Sequence, residues 1–120
     1  MDLQYANRGV REFQHALFVI TQIVSVVSSK YAIGDAGFKA IGIHTGLPTV
    51  SECDNLNVLG LNAEHIRFQI KSDTSIRPKK RIKLIPSYSD STTMLHRKIH
   101  VVRNGMVCDI WPITAAGMLQ

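Results

Sequence analysis

The feature that most constrains the fold of this chain is an apolar, β-branched run from Ala16 to Ser29. Its sequence, A-L-F-V-I-T-Q-I-V-S-V-V-S-S, is dense in valine, isoleucine and threonine. These side chains are restricted at χ1 and pack well on a pleated sheet. Both alternating faces of such a strand are largely apolar, so the run predicts a long strand buried on two sides. A helix is the alternative, but the run has no N-cap residue and no clear amphipathic stripe.

The same run bears on the class of protein. It contains Thr21, Gln22 and Ser25 and falls short of the ~20 apolar residues that a membrane helix needs. No charged leader with a cleavage site opens the chain, so we expect no signal peptide. Cys53 and Cys108 are too few for a disulfide scaffold or a zinc knuckle. We therefore predict reduced thiols in a cytoplasmic protein without membrane association, and neither cysteine is assigned as a nucleophile.

Further strands are predicted along the chain. Residues 64–70 and 81–85 alternate apolar and polar side chains, which is typical of half-buried strands. Asn104-Gly105 stands between two apolar runs, 99–102 and 106–110. This pattern predicts a β-hairpin, because a type I′ turn needs two residues that tolerate positive φ.

Two other segments are predicted to be turns or loops. Gly34, Gly37 and Gly42 lie close together, which indicates either positive φ or close packing of the backbone. Residues 51–62 are mostly polar and are predicted to form a loop.

The fold class follows from these segments and from the size of the chain. A chain of 120 residues with 45% hydrophobic residues can build one packed core but not two. We predict a mainly β protein: a single compact β-barrel or sandwich-like domain of about six strands with a little helix. The domain is expected to span residues 1–120, with its core at about 11–117.

Basic residues are concentrated in the second half of the chain. The formal net charge is +5, which divides into −2 over residues 1–66 and +7 over residues 67–120. The densest stretch, residues 77–83, is interpreted as a solvated turn leading into a strand whose charged side chains face water. Few aromatic residues interleave the basic ones and no helix-turn-helix pattern is present, so nucleic acid is not the favoured partner. A basic nucleic-acid-binding β-barrel stays as the third alternative for function.

Five short motifs occur in an order that points to a known family. They are R-E-F-Q-H-A-L-F-V at 11–19, D-A-G-F-K-A at 35–40, E-H at 64–65, P-S-Y-S-D-S-T at 86–92 and V-C-D-I-W-P-I at 107–113. In this order they resemble the C-terminal β-domain of the D-threonine aldolase / D-serine dehydratase family. The members are pyridoxal-phosphate (PLP) enzymes of the alanine-racemase-like type.

The resemblance implies an enzyme made of two parts. An N-terminal α/β barrel carries the lysine that forms the Schiff base with PLP, and a C-terminal β-domain completes the active site and contributes to dimerisation. Such a barrel needs ~250 residues, and neither Lys30 nor Lys39 matches the Schiff-base lysine by position. The chain is therefore expected to lack the PLP barrel and to be a fragment, a split subunit or a decayed paralogue.

These expectations define a functional hypothesis. The chain is predicted to belong to a PLP- and metal-dependent D-amino-acid lyase or aldolase, to be inactive alone, and to have no catalytic or cofactor-binding residue and no cofactor of its own. Its partner is expected to be a second copy or a separate PLP-barrel chain. A non-catalytic dimerisation or interaction module is the alternative. Whether the chain is itself an enzyme stays open.

The resemblance also implies a metal position. In the family, a histidine and, two residues on, a cysteine or aspartate hold Zn²⁺ or another divalent metal beside PLP. Residues i and i+2 of an extended backbone point the same way. Tyr88 and Asp90 stand at these positions. A phenol with a pKa of about 10 is a poor zinc ligand at neutral pH, so the site is predicted to be degenerate, and Asp90 could instead accept nearby backbone N–H groups in a turn.

Other polar residues are expected to have structural roles. His96 and His100 fit no established zinc spacing. Asp35 is predicted to be a buried carboxylate that accepts backbone hydrogen bonds, with Lys39 as a nearby partner. Glu64-His65 could line a cleft toward the barrel or cap the start of a strand.

Overall fold

The chain folds mainly into β-strands. The structure is a computed structural model and describes residues 1–72 and 75–118. Its elements are α1 (Leu3–Asn7), β1 (Val19–Ser28), β2 (Tyr31–Gly34), β3 (Thr49–Ser51), β4 (Leu56–Leu61), β5 (Ile66–Ile70), β6 (Arg81–Ile85), α2 (Ser89–Thr93), β7 (Lys98–Arg103) and β8 (Met106–Pro112). In this described part of the chain, no helix has both the length and the apolar composition needed to cross a membrane.

Six of the strands form one curled antiparallel sheet in the order β3-β6-β1-β2-β5-β4. The two edge strands, β3 and β4, approach each other, so the sheet nearly closes into a barrel. Its inner face carries fully buried apolar side chains, among them Ile23, Ile66, Phe68 and Leu84. The predicted mainly β, barrel-like fold is confirmed.

The prediction that the long apolar run is buried on two sides is wrong. The run does form strand β1, although the strand begins at Val19, three residues after the first apolar residue of the run. Val19, Thr21 and Ile23 face the core, whereas Ile20 and Val24 on the other face are 54% and 43% exposed. A nearly closed single sheet has only one inner face, and no described element covers the outside of β1.

Residues 51–62 contain a strand that was predicted as a loop. Strand β4 pairs with β5, with a register shift between Val58 and Gly60. Only Leu56 of this strand is fully buried. The shift breaks the two-residue alternation that identifies a strand in a sequence, so the segment resembles a loop.

The glycine-rich segment is explained by close packing and not by positive φ. A Cβ atom on Gly37 would lie 2.3 Å from the carbonyl oxygens of both Asn62 and Ala63. A Cβ on Gly42 would lie 2.2 Å from the hydroxyl oxygen of Ser91, in the middle of α2. The segment therefore packs directly against the β4–β5 turn and against helix α2.

Strands β7 and β8 form a separate two-stranded hairpin. Asn104 and Gly105 have φ values of 50° and 77°, which confirms the predicted turn with two positive-φ residues. Every residue of β8 is exposed, including Met106, Ile110 and Trp111. The hairpin thus carries apolar side chains that the described part of the chain leaves in solvent.

The densest basic stretch has the predicted form. Arg81 and Lys83 of β6 are exposed, and Ile82 and Leu84 between them are buried. Lys79 lies in the preceding turn with φ 73°. The positive charges therefore lie on a turn and on the outer face of the sheet.

Candidate functional site

The two residues predicted at the metal position lie where the chain passes from β6 into α2, Tyr88 just before the helix and Asp90 in its first turn. Tyr88 has an extended backbone (φ −142°, ψ 123°) and is the N-cap residue of α2. Its hydroxyl donates a hydrogen bond of 2.8 Å to Oδ2 of Asp90. The structure thus brings Tyr88 and Asp90 together as a hydrogen-bonded pair. Tyr88 is half-buried and Asp90 is exposed.

The electrostatics of the pair keep the phenol protonated. The hydrogen bond to Asp90 and the negative charge of that carboxylate raise the pKa of Tyr88 above its ordinary value. The ring of His44 lies beside Tyr88, with 6.2 Å between the ring centroids. A phenol held in this form is a hydrogen-bond donor and not an anionic metal ligand.

Asp90 does not play the turn role considered as the alternative. Within the described residues, its carboxylate accepts hydrogen bonds from side chains, the Tyr88 hydroxyl at 2.8 Å and the Ser89 hydroxyl at 3.3 Å. The backbone N–H of Ser89 donates instead to Oδ2 of Asp2, at 2.7 Å. The carboxylate that organises the start of α2 is therefore a different one.

Asp2 is a residue of this site that the sequence reasoning missed. Its side chain is fully buried and accepts hydrogen bonds from the Ser89 N–H, from the Ser89 hydroxyl at 2.8 Å and from the Tyr5 N–H at 3.2 Å. Burial raises the pKa of Asp2, but these hydrogen bonds outweigh it and lower the pKa below its ordinary value. An aspartate directly before a helix is an N-cap signal in the sequence. Nothing in the sequence near Asp2 indicates that it also binds Ser89.

Helix α2 is also tied to the glycine-rich segment. The buried hydroxyl of Thr92 accepts a hydrogen bond from the Gly42 N–H at 3.1 Å and donates one to the Tyr88 carbonyl at 3.1 Å. His96 Nε2 lies 2.7 Å from the Ala40 carbonyl oxygen. The backbone around Tyr88 and Asp90 is thus fixed from both sides.

The two histidines that follow the site do not join it. His96 is engaged by the Ala40 carbonyl, and His100 is exposed on β7. Over residues 1–72 and 75–118, no three His, Cys, Asp or Glu side chains are grouped as metal ligands.

The prediction for Asp35 and Lys39 is partly wrong. Asp35 does accept a backbone hydrogen bond, from the Gln22 N–H at 2.7 Å, but its side chain is exposed and not buried. Lys39 pairs with Glu64 and not with Asp35. Both partners of this ion pair are more than 60% exposed, so the pair contributes little to stability.

The donor set at the family's metal position does not fit a divalent metal. Divalent metals are held by deprotonated or neutral lone-pair donors such as imidazole, thiolate and carboxylate. Here the first position carries a phenol whose hydroxyl donates a hydrogen bond to Oδ2 of Asp90, the carboxylate at the second position. Cys53 and Cys108 are free, but they belong to other parts of the fold, before β4 and on β8.

Comparisons with a family model and with individual known sequences point to the same family. Residues 16–102 match the family described as "Putative serine dehydratase domain". The 3-hydroxy-D-aspartate aldolase of Paracoccus denitrificans is 33% identical over 106 residues, which are 88% of this chain and 27% of that protein. The D-threonine aldolase of Arthrobacter sp is 32% identical over 110 residues, or 91% of this chain and 29% of that protein. This chain therefore spans less than a third of the length of the curated relatives it matches.

Comparison with solved structures extends the match to the fold. The crystal structure of D-threonine aldolase from Filomicrobium marinum has a TM-score of 0.93 and 30% identity, covering 100% of this chain and 34% of that chain. A cysteine-to-alanine mutant of D-threo-3-hydroxyaspartate dehydratase in the metal-free form has a TM-score of 0.80 at 20% identity, covering 93% of this chain and 36% of that chain. The resemblance predicted from the five motifs is confirmed, and the chain belongs to the serine dehydratase domain family.

Proposed function

We propose that this chain is the β-domain of a PLP-dependent lyase or aldolase acting on D-3-hydroxy amino acids, and that it is inactive alone. The observation that carries the proposal is the match to D-threonine aldolase from Filomicrobium marinum, which extends over the whole of this chain but only 34% of that one. D-serine dehydratase and D-threonine aldolase are the activities that the family resemblance suggests.

The proposal assigns the missing chemistry to a partner segment. PLP, when bound, stabilises a carbanion next to the amino group of its substrate, and the lysine that holds it belongs to an α/β barrel in this family. We propose that such a barrel, joined to this chain or made separately, packs against it. The role of this chain is to close the site and to place the Tyr88–Asp90 pair at its edge.

The exposed hairpin supports a missing partner. Met106 is 70% exposed and Trp111 is 52% exposed on a strand that is in solvent along its whole length. Exposed apolar surface of this kind usually marks an interface. A second copy of this chain is the other candidate occupant of this surface, which corresponds to a dimerisation module.

The free thiols of Cys53 and Cys108 support a reducing, cytoplasmic compartment, whether the partner is a PLP barrel or a second copy of this chain.

The proposal is tested on the chain alone and on a chimera. In the chimera, this chain replaces the matched segment of the Arthrobacter D-threonine aldolase. We expect the chain alone, supplied with PLP, Mn²⁺ and D-threonine, to release no acetaldehyde above a protein-free blank. We expect the chimera to retain PLP through gel filtration, as the unmodified aldolase does, measured by the absorbance of the bound cofactor.

Two results would contradict the proposal. One is cleavage of D-threonine by the chain alone. The other is a folded chimera that retains no PLP while the unmodified aldolase, purified in parallel, retains it. Retention of PLP and not activity is the readout, because the residues at the metal position affect activity separately.

A further inference from the structure

We propose that a hydrogen bond between Tyr88 and Asp90 stands in this chain where its family holds a divalent metal, so that the side chains of this site do not bind one. The proposal rests on the proposed function only in identifying these two positions with the family's metal position. The site itself is argued from the contacts of this chain.

The first argument is the direction of the Tyr88 hydroxyl. It donates a hydrogen bond of 2.8 Å to Asp90 Oδ2, so the carboxylate oxygen nearest to Tyr88 is already occupied as a hydrogen-bond acceptor. A cation placed between the two side chains would meet the hydroxyl hydrogen on one side and would have to break this bond. The other carboxylate oxygen, Oδ1, has the Ser89 hydroxyl at 3.3 Å.

The second argument is the fixed backbone under the pair. The Tyr88 carbonyl accepts hydrogen bonds from the hydroxyls of Ser91 and Thr92, at 3.3 and 3.1 Å. Ser89 is held by the buried Asp2 through its N–H and its hydroxyl. The positions of residues 88 and 90 are therefore set by contacts that do not involve the phenol ring, and the pair is pre-organised.

The third argument is the chemistry of a single substitution. On this backbone, Tyr88→His would put an imidazole next to the Asp90 carboxylate, and the ring of His44 already lies beside residue 88. Imidazole and carboxylate are donors that zinc prefers. The side chain at position 88, a phenol in place of an imidazole, is thus what separates this chain from a metal-binding relative, and not a collapsed loop.

The test is equilibrium dialysis of the 120-residue chain against Zn²⁺ and, separately, Mn²⁺. Wild type is compared with Asp90→Asn, Tyr88→His and Tyr88→Phe, each checked for a wild-type circular dichroism spectrum. We expect wild type, Asp90→Asn and Tyr88→Phe to bind each metal with affinities that agree within twofold, since any binding then comes from other surface side chains. We expect Tyr88→His to gain a site at least tenfold tighter than wild type.

Each outcome decides the matter. One equivalent of metal bound by wild type at least tenfold more tightly than by Asp90→Asn would overturn the proposal. A correctly folded Tyr88→His variant with no tighter binding would also overturn it, because the tyrosine would then not be what excludes the metal. If Tyr88→His does not fold, the comparison of wild type with Asp90→Asn alone gives the answer. None of these results depends on the PLP chimera, so the two proposals fail separately.

Discussion

Asp2 and Ser89 stand 87 positions apart in the chain, and the carboxylate of Asp2 accepts two hydrogen bonds from Ser89. The backbone follows the same route, because the N–H groups of Leu3 and Gln4 donate to the carbonyls of Pro86 and Ser87. A single residue near the N-terminus therefore positions the loop that carries Tyr88. The hydrogen bonds to Asp2 are charge-assisted and are accepted by a buried carboxylate, which makes their loss costly.

Replacing Asp2 by Asn tests this role through the pH dependence of stability. We expect Asp2→Asn to lower the free energy of unfolding by about 1–2 kcal/mol at pH 7. Because the pKa of Asp2 is lowered in the folded chain, its contribution is full above the ordinary carboxyl pKa of about 4 and is lost as the pH falls through the lower folded value. The gap between wild type and variant should therefore close below about pH 4, as measured by urea unfolding.

Asp54→Asn is the matched control, since Asp54 is an exposed carboxylate. It should unfold like wild type at every pH. A gap for Asp2→Asn that stays constant down to pH 2.5 would show that the charge of Asp2 is not the source of its effect.

The sequence predicts single residues well where a motif is local. Tyr88 and Asp90 are found because residues 86–92 resemble a short motif of the family, and the structure joins the two side chains directly. Asp2 is not found, because two of the three hydrogen bonds to its carboxylate come from Ser89, which is 87 positions away in the sequence. The burial predicted for Asp35 fails for a related reason. Exposure depends on what lies over the side chain, and no local pattern around position 35 specifies that.

At the scale of elements, the β7–β8 hairpin differs from the rest of the fold. A two-stranded hairpin is at best marginally stable in water, and among the described strands this hairpin pairs with no other strand. Its tight turn is the main local feature that holds the register, since Asn104 and Gly105 supply two positive φ angles. The hairpin should be the first part of the isolated chain to open.

Gly105→Ala is predicted to loosen the hairpin without unfolding the sheet. A left-handed backbone costs an L-residue about 1–2 kcal/mol, so amide exchange in β7 and β8 should accelerate about 5- to 30-fold. Exchange in β1, β2, β5 and β6 should not change. Hydrogen exchange followed by mass spectrometry measures both.

Gly117→Ala is the matched control, because Gly117 also has positive φ and an added Cβ meets nothing within 4 Å at either glycine. It lies beyond the end of β8 and should leave exchange in the hairpin unchanged. Equal acceleration by both substitutions would show that the turn does not hold the hairpin.

The strands show where sequence periodicity works and where it fails. Residues 66–70 and 81–84 alternate apolar and polar side chains, and the structure has both strands with these apolar residues buried, followed by buried Ile85 at the end of β6. Strand β4 escapes prediction because its register shift interrupts the alternation. For β1, composition identifies the strand but not its burial, because apolar residues on both faces are compatible with a covered or an uncovered outer face.

At the scale of the molecule, apolar side chains cluster on the outside of the hairpin. Val102, Met106 and Val107 are each more than half exposed. Large exposed apolar patches are uncommon on soluble monomers and usually mark an interface. The molecule is expected to cover this surface with a partner or, when alone, with another copy of itself.

Sedimentation velocity tests this expectation on the isolated chain. We expect the weight-average mass to rise with concentration for wild type and to move toward the monomer for a variant with Ile110→Asp and Trp111→Asp, because charge on β8 opposes burial. His100→Asp, which adds charge at an exposed polar position on β7, should behave like wild type. Equal self-association of all three proteins would exclude β8 as the contact surface.

The fold as a whole was predictable because several weak signals agree. The β-branched run, the Asn-Gly turn and the order of five motifs each indicate the same β-domain, and the family match over residues 16–102 agrees with them. The way the sheet curls and closes could not be predicted. It depends on pairings such as β2 with β5 and β3 with β6, which join segments far apart in the sequence.

The position of β6 in the sheet determines how the chain can fold during its synthesis. Strand β6, at residues 81–85, lies between β3 and β1 and is the only sheet neighbour of β3 among the described strands. As the chain leaves the ribosome, β1, β2, β4 and β5 can pair first, but β3 must wait for β6. A nascent chain stalled before residue 81 would therefore carry a four-stranded sheet whose β1 edge is open to pairing with a neighbouring nascent chain.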